Sequence, residues 1–227
     1  MAQAPNMSFP TLEHPIVAAP MGGGPSTPEL VAAVSGAGGF GFLAAAYKTA
    51  EAVSDEIAKV RALTLEPFGV NLFVPSRPTA DTVAVRSYAE QLEPEARRHD
   101  VELGEPRWSD DDWDSKIAVL LEERPRVTSF TFGCPSADLV DALRGHGVDV
   151  WITVTIPAEA RGAAAAGADA LVVQGAEAGA HRGSFVDDDS DPIALLPLLR
   201  LVAASVNLPL VAAGGIADGA ADRKSVV

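Results

Sequence analysis

An incomplete (β/α)8 TIM barrel, α/β in class and with about seven of its strands present, is what three features of this sequence predict. Short apolar runs alternate with helical stretches along most of the chain, the spacing of a parallel sheet with helical crossovers. Glycines recur where those runs end, at Gly22–Gly24, Gly133, Gly175 with Gly179, and Gly214–Gly215. The carboxyl ends of barrel strands converge on one face, whereas an open doubly wound sheet uses only its switch point. No Gly-x-Gly-x-x-Gly opens a first helix, so a dinucleotide-binding sheet lacks its fingerprint.

In chain order, Ile16 to Ala19 reads as a first strand and Gly39 to Leu43 as a second. Between them a helix from Pro28 to Ser35 starts at a proline behind Ser26-Thr27, a capping residue followed by a ring whose missing N–H costs nothing there. Ala50 to Leu63 has helical spacing, and Gly69 to Phe73 is the third strand. Val127 to Phe132, Val150 to Thr155, Ala168 to Val173 and Leu208 to Ala212 supply the fourth to seventh, separated by helices at Ala137 to Gly145, Pro157 to Ala166 and Pro192 to Ser205. One connection breaks the rhythm. An insertion at 74–115 follows the third strand and holds the charged helical stretch Thr82 to His99 and the polar run Trp108 to Trp113. Such a segment serves as a lid or subdomain, or is a solvated excursion. The barrel domain is expected to span 1–221. Residues Asp222–Val227 resemble the translation of sequencing-adapter read-through and are expected to be a non-native tail.

Composition narrows the function. The 227 residues are 48% hydrophobic and 21% charged, as in ordinary globular proteins. A net charge of -14 argues against nucleic acid or anionic membrane as a partner, since both need a basic surface. The single cysteine excludes an internal disulfide framework and fits a reducing compartment, so a cytoplasmic protein is expected. Neither a long apolar span nor a basic, apolar leader is present, and no spanning helix or signal peptide is expected.

The chemistry concentrates in Gln174-Gly175-Ala176-Glu177-Ala178-Gly179-Ala180-His181-Arg182-Gly183, directly behind an apolar strand. Imidazole can take up or give a proton near neutral pH, and small residues around it let backbone approach a ligand, so His181 is the catalytic candidate. Gly214-Gly215 after the seventh strand is placed where barrels bind phosphate, although a tight turn would also use two glycines. The run Pro20 to Gly24 suits a flat ligand or a flexible turn. Asn71 and Gln174 are amides on apolar strands and need hydrogen-bond partners wherever they are buried. Glu177 and Arg182 read as exposed loop charges. His14 precedes proline, His99 falls in the insertion, and His146 between two glycines reads as a helix-end cap. Cys134, behind the fourth strand, lacks an assignable base and reads as a pocket-lining thiol. Asp187-Asp188-Asp189 with Asp191 lacks the glycine and glutamate of a calcium loop, and no metal is expected.

Taken together, Pro15 to Gly23, Gly69 to Phe73, Gln174 to Gly183 and Ala212 to Ile216 resemble the nitronate monooxygenases, once called 2-nitropropane dioxygenases. The resemblance runs to about Ala221. It implies FMN at the carboxyl face of a barrel, with Ala19, Met21 and Gly22 near the isoalloxazine ring, Asn71 and Gln174 at ring or ribitol polar atoms, and Gly179, Gly214 and Gly215 at the phosphate. His181 would lie beside the flavin, as base toward a nitroalkane or orienter of the anion. The implied reaction is oxidation of an alkyl nitronate by oxygen to a carbonyl product and nitrite. An FMN-dependent enoyl-thioester reductase using NAD(P)H, which shares a similar histidine loop, is the alternative within the barrel group. A catalytically inert flavin-barrel fragment is the alternative outside it. The family carries glycine where Ala180 stands, and its Gly-Thr segment after an eighth strand has no counterpart here.

Overall fold

The computed structural model describes residues 10–78, 81–187, 191–216 and 218. The expected tail Asp222–Val227, together with Asp188 and Asp189 of the acidic run, lies outside the described residues.

Six strands form one parallel sheet: β1 Phe42–Ala44, β2 Gly69–Phe73, β3 Val127–Thr131, β4 Asp149–Val154, β5 Ala170–Gln174 and β6 Leu210–Ala213. Their spatial order is β1-β2-β3-β4-β5-β6. Each crossover therefore advances one strand in the same direction, which is barrel winding; a doubly wound sheet would reverse at a switch point. The helices are α1 Pro28–Gly36, α2 Ala50–Leu63, α3 Thr82–Arg98, α4 Trp113–Glu123, α5 Ala137–Gly145, α6 Pro157–Ala165 and α7 Leu195–Ala203. Hydroxyls start three of them. Thr27, Thr49 and Ser136 accept the N–H groups of Leu30, Ala52 and Leu139, each satisfying a donor that the first helical turn leaves open.

The expected strand Ile16 to Ala19 is corrected to a single bridge, Val17 opposite Phe40. Phe40 N–H donates to Ile16 O and Ala18 N–H donates to Phe40 O, both at 2.9 Å, so pairing begins. It stops there because Pro15 and Pro20 flank the segment and bring no N–H to a ladder. The sheet thus has six strands and one bridge among the described residues, where about seven strands were expected. α7 also begins later than the expected Pro192, at Leu195.

The chain divides into two compact units, Pro75–Asp110 and the remainder. Within the smaller unit, α3 carries Glu93–Arg97 and Glu95–Arg98 ion pairs on exposed faces, and Trp108 Nε1 donates to Ser76 O.

Period-two alternation divides the sheet into two faces. Leu43, Val70, Leu72, Phe130, Ile152, Leu171 and Val173 face the helices and pack with Ile57, Leu120, Leu143 and Leu198. The opposite face carries Phe42, Val127, Trp151 and Ala170, joined by Phe40. Its rings interlock, with Trp151 centred 5.6 Å from both Phe40 and Phe42. Gly69 permits this, because a Cβ there would lie 2.2 Å from the Phe42 ring. Burying each of these large side chains is worth about 1.5–3 kcal/mol.

Acidic and basic groups meet at the amino ends of β4 and β5. Asp149, only 2% exposed, pairs with Arg126 at 2.8 Å, while Asp169 accepts the Val150 N–H at 2.8 Å and meets Arg144 at 3.2 Å. Burial pushes the Asp149 carboxyl from 3.8 up to about 6; Arg126 opposes the rise and Asp169 adds to it. A carboxyl raised in the folded state favours the protonated fold. Its contribution therefore falls as pH rises from the unfolded value of 3.8 to the folded value of about 6. Asp149→Asn removes the titration, so its stability relative to the parent should improve between pH 4 and pH 7, by about 1 kcal/mol after screening through the partly exposed Arg126. Thermal melts of both proteins across that range check it; a constant difference would refute the assignment.

Candidate active site

Toward the carboxyl ends of the strands the inner face changes from aromatic to polar. Asn71 on β2 is buried, and its Nδ2 donates to Ser129 O, Ser129 Oγ and Thr131 Oγ1 at 3.2, 2.9 and 3.1 Å. Thr131 Oγ1 lies 3.3 Å from Thr153 Oγ1 on β4. An amide and three hydroxyl-bearing side chains thus run across β2, β3 and β4 as a polar floor. Asn71 spends its amide nitrogen on β3.

The histidine loop folds back over this floor. Gln174, the last residue of β5, uses both ends of its side chain: Nε2 donates to His181 O at 3.0 Å and Oε1 accepts the Gly183 N–H at 2.7 Å. Gly183 must be glycine for the fit, because a Cβ would stand 2.9 Å from Thr153 Cγ2 and 3.1 Å from Thr131 Cγ2. The imidazole of His181 remains exposed and meets two phenylalanines edge to face, Phe73 and Phe132, each centred 5.6 Å away. Those rings are 4.7 Å apart, and Tyr47 extends the wall at 5.9 Å from Phe73. Such edge contacts each add about 0.5–1.5 kcal/mol beyond area burial.

Backbone strain gathers here. Tyr47, Phe132 and Ala180 have positive φ of 64°, 70° and 60°, uncommon for residues other than glycine. The Tyr47 turn is held from behind, as Asp111 Oδ1 accepts the Tyr47 N–H and Asp112 Oδ2 accepts the Ala50 N–H. Asp111 in turn lies 2.9 Å from the ammonium of Lys116, a side chain 1% exposed. Hydrogen bonds from Ser115 and then Ala50 hold the Asp112 carboxyl below its usual range.

Gly214 and Gly215, immediately behind β6, have φ of 114° and 67°, conformations that favour glycine. A Cβ on Gly214 would stand 2.8 Å from Ala178 N, so this turn lies directly against the histidine loop. Gly179 has open space around its Cα. The positive-φ turn at Gly214 and Gly215 thus packs on the loop that carries Gly179. Ala19, Met21 and Gly22 are exposed on the first loop, where a Cβ on Gly22 would stand 3.7 Å from the Tyr47 ring.

Other expected groups fall elsewhere. His146 Nδ1 sits 2.8 Å from Ala142 O at the end of α5, a helix-end contact. His99 lies 3.8 Å from Glu95 on α3. Cys134 packs against the helix-side core, and burial pushes its thiol up, which disfavours the thiolate. Among the described residues no three His, Cys, Asp or Glu side chains are grouped to hold a metal ion. No helix among them is long and apolar enough to cross a membrane.

Sequence reasoning missed the acids that fix the loop. Glu177 is an architectural residue, since its Oε2 accepts the Leu195 N–H at 2.8 Å at the start of α7, where the helix dipole favours a carboxylate. Glu159 on α6 is buried and accepts from Thr155 N and Thr155 Oγ1 through Oε2, at 2.6 and 2.9 Å, and from Phe185 N through Oε1 at 2.7 Å. The available signal was Glu159 itself, standing in the first turn behind Pro157.

A sequentially wound parallel sheet with glycine turns and one imidazole over a polar floor at its carboxyl ends places this chain among the (β/α)-barrel proteins whose site lies on that face. Within that class, a family model described as nitronate monooxygenase matches residues 4–222, and the chain belongs to that family. It is 44% identical over 225 residues to a nitronate monooxygenase of Pseudomonas aeruginosa, covering 95% of this chain and 62% of that protein. A nitronate monooxygenase of Paraburkholderia phytofirmans is 39% identical, with 92% and 58% covered. Among solved structures, nitroalkane oxidase from Streptomyces ansochromogenes superposes with a TM-score of 0.89 at 47% identity, over 94% of this chain and 63% of that one. FabK from Thermotoga maritima superposes at 0.69 with 29% identity, over 94% and 55%. The chain thus spans about three fifths of the length of these relatives, 62% and 58% of the two curated ones.

Two substitutions test the loop geometry in opposite directions. Ala180→Gly relieves a left-handed alanine and should stabilise by about 0.5–1 kcal/mol, a rise of roughly 2–4 °C at most in Tm. Gly183→Ala should lower Tm and lift the loop from Thr131 and Thr153, seen as faster proteolysis between Gly179 and Phe185. A stabilised Gly183→Ala protein would show that the loop does not rest on those threonines.

Proposed function

We propose that this chain forms an FMN-binding site that oxidises alkyl nitronates with oxygen to a carbonyl product and nitrite. The carrying observation is the His181 imidazole, set edge to face against Phe73 and Phe132 on a loop whose Ala178 packs against the Gly214 turn. Family membership and the similarity to nitronate monooxygenases support the reading.

The residues present fit the cofactor. The left-handed glycine turn packed on Ala178, with open space at Gly179, would hold the phosphate, and Asn71 Oδ1 would accept from the ring or ribitol. Gln174 supports the same site from behind, because both its polar ends are engaged by the loop. Ala19, Met21 and Gly22 would cover the ring from the first loop, where small residues admit close approach. When bound, the flavin supplies the electron transfer between nitronate and oxygen.

This chain's own groups supply position and proton chemistry. His181 hydrogen-bonds an anionic nitronate, or takes the proton from the α-carbon of a neutral nitroalkane. Phe73 and Phe132 keep its ring oriented and give the alkyl group an apolar wall that displaces water. The backbone bonds to Gln174 hold the loop before substrate arrives, the pre-organisation on which proximity effects depend.

The test is a flavin titration of the purified chain followed by oxygen uptake. FMN should bind, a short alkyl nitronate should drive oxygen consumption and nitrite release, and NADPH alone should leave the flavin oxidised. His181→Asn should cut turnover of the neutral nitroalkane by about 100-fold or more, with a smaller loss on the preformed nitronate. Bleaching by NADPH without nitronate would move the function to a reductase, and failure to take up FMN would overturn the cofactor reading.

A further inference from the structure

We infer that Glu159 is the positioning residue of the histidine loop, acting through the backbone of Phe185 to hold the His181 imidazole against Phe73 and Phe132. The inference rests on the proposed role of His181 but adds a residue from a different element. Glu159 lies in the first turn of α6, is 8% exposed, and has both carboxylate oxygens occupied. Oε2 serves the local chain, taking the N–H and the hydroxyl of Thr155 just behind β4. Oε1 crosses to a segment far away in sequence and takes the N–H of Phe185 at 2.7 Å.

A helix cap explains the first oxygen but not the second. Capping needs only a local donor, whereas the Phe185 bond ties the outgoing arm of the histidine loop to the end of β4. From Phe185 the restraint passes to Gly183, seated on Thr131 and Thr153, and through Gln174 to His181 O. Gln174 fixes the loop to β5 and Glu159 fixes it to α6 and β4. Gln174, and Glu177 through Leu195, hold the incoming arm of the loop, whereas Glu159 holds the outgoing arm; without it that arm hangs from Gln174 and the direction of the imidazole is less fixed. Both Glu159 bonds to N–H donors are charge-assisted and sheltered, which makes them the stronger kind.

The test uses proton NMR of the imidazoles in the flavin-free chain, which has four histidines. Edge contact with two phenyl rings displaces the His181 resonances, and His181→Gln identifies them. Glu159→Asp shortens the side chain, keeping an acceptor near Thr155 while falling short of Phe185. The His181 signals should then move toward those of an exposed histidine and the Phe185 amide should exchange about tenfold faster or more, with His146 unmoved. Glu159→Gln, which turns an N–H group toward one of the donors, should give the same pattern. His181 signals that stay in place in both variants while Thr155 exchange accelerates would reduce Glu159 to a helix cap and overturn the inference. Should either variant unfold, the parent protein decides: a Phe185 amide protected like that of Thr155 supports the link, and one exchanging as a free loop amide overturns it. Because these signals need no flavin, a failed FMN titration would sink the proposed function and leave this result separately legible.

Discussion

The site depends on one geometric constraint, the strict alternation of side chains along parallel strands. On β2, Leu72 must face the helices if Asn71 and Phe73 are to face inward, and the register Asn71 opposite Ser129 and Phe73 opposite Thr131 extends the same assignment to β3. A slip of one residue would exchange the polar floor for Leu72 and Phe130. Register is secured at the other end of the strands, where Phe40, Phe42 and Trp151 fill the space left by Gly69. The apolar half of the inner face therefore sets where the polar half falls.

Above that floor the backbone is strained, and the strain is held by acceptors. Tyr47 and Ala180 adopt left-handed conformations at a cost of order 1–3 kcal/mol each. Asp111 takes the Tyr47 N–H, Gln174 bonds to the backbone on the far side of Ala180, and Glu177 ties the near side of the same loop to α7. Each bond is modest alone. Together they restrict the turns to one arrangement, which free loops of this composition would not keep.

Much of the framework was legible in the sequence because buried parallel strands are near-continuous apolar runs bounded by glycine and proline, as at Gly69 to Phe73 and Val150 to Thr155. The first segment misled because Ile16 to Ala19 has strand composition, while the prolines at both ends deny it a ladder. In the site, His181 stood out as a lone imidazole among small residues, and the glycine pair as an unusual turn. The floor did not stand out: Ser129, Thr131 and Thr153 are common strand residues, and nothing local says that their hydroxyls face one another. Glu159 and Glu177 were hidden for a related reason. An acid in a first helical turn or a loop looks solvated, and the N–H groups of Phe185 and Leu195 that engage them lie far along the chain.

Those hidden acids bear on how so acidic a chain would admit the anions of the proposed reaction. At a net charge of -14 the long-range field repels a nitronate or phosphate, but at physiological ionic strength that field decays over about 8 Å. What matters is the carboxylates within that radius, and three on or beside the loops are engaged: Glu159 by three donors, Glu177 by the start of α7, Asp111 by Lys116 and the Tyr47 N–H. A carboxylate so bonded keeps its charge but is held in one direction by its donors. In the proposed reaction the groups that would face the ligand are the glycine turn, the Asn71 carbonyl and the His181 imidazole, and it falls to the imidazole to move the proton.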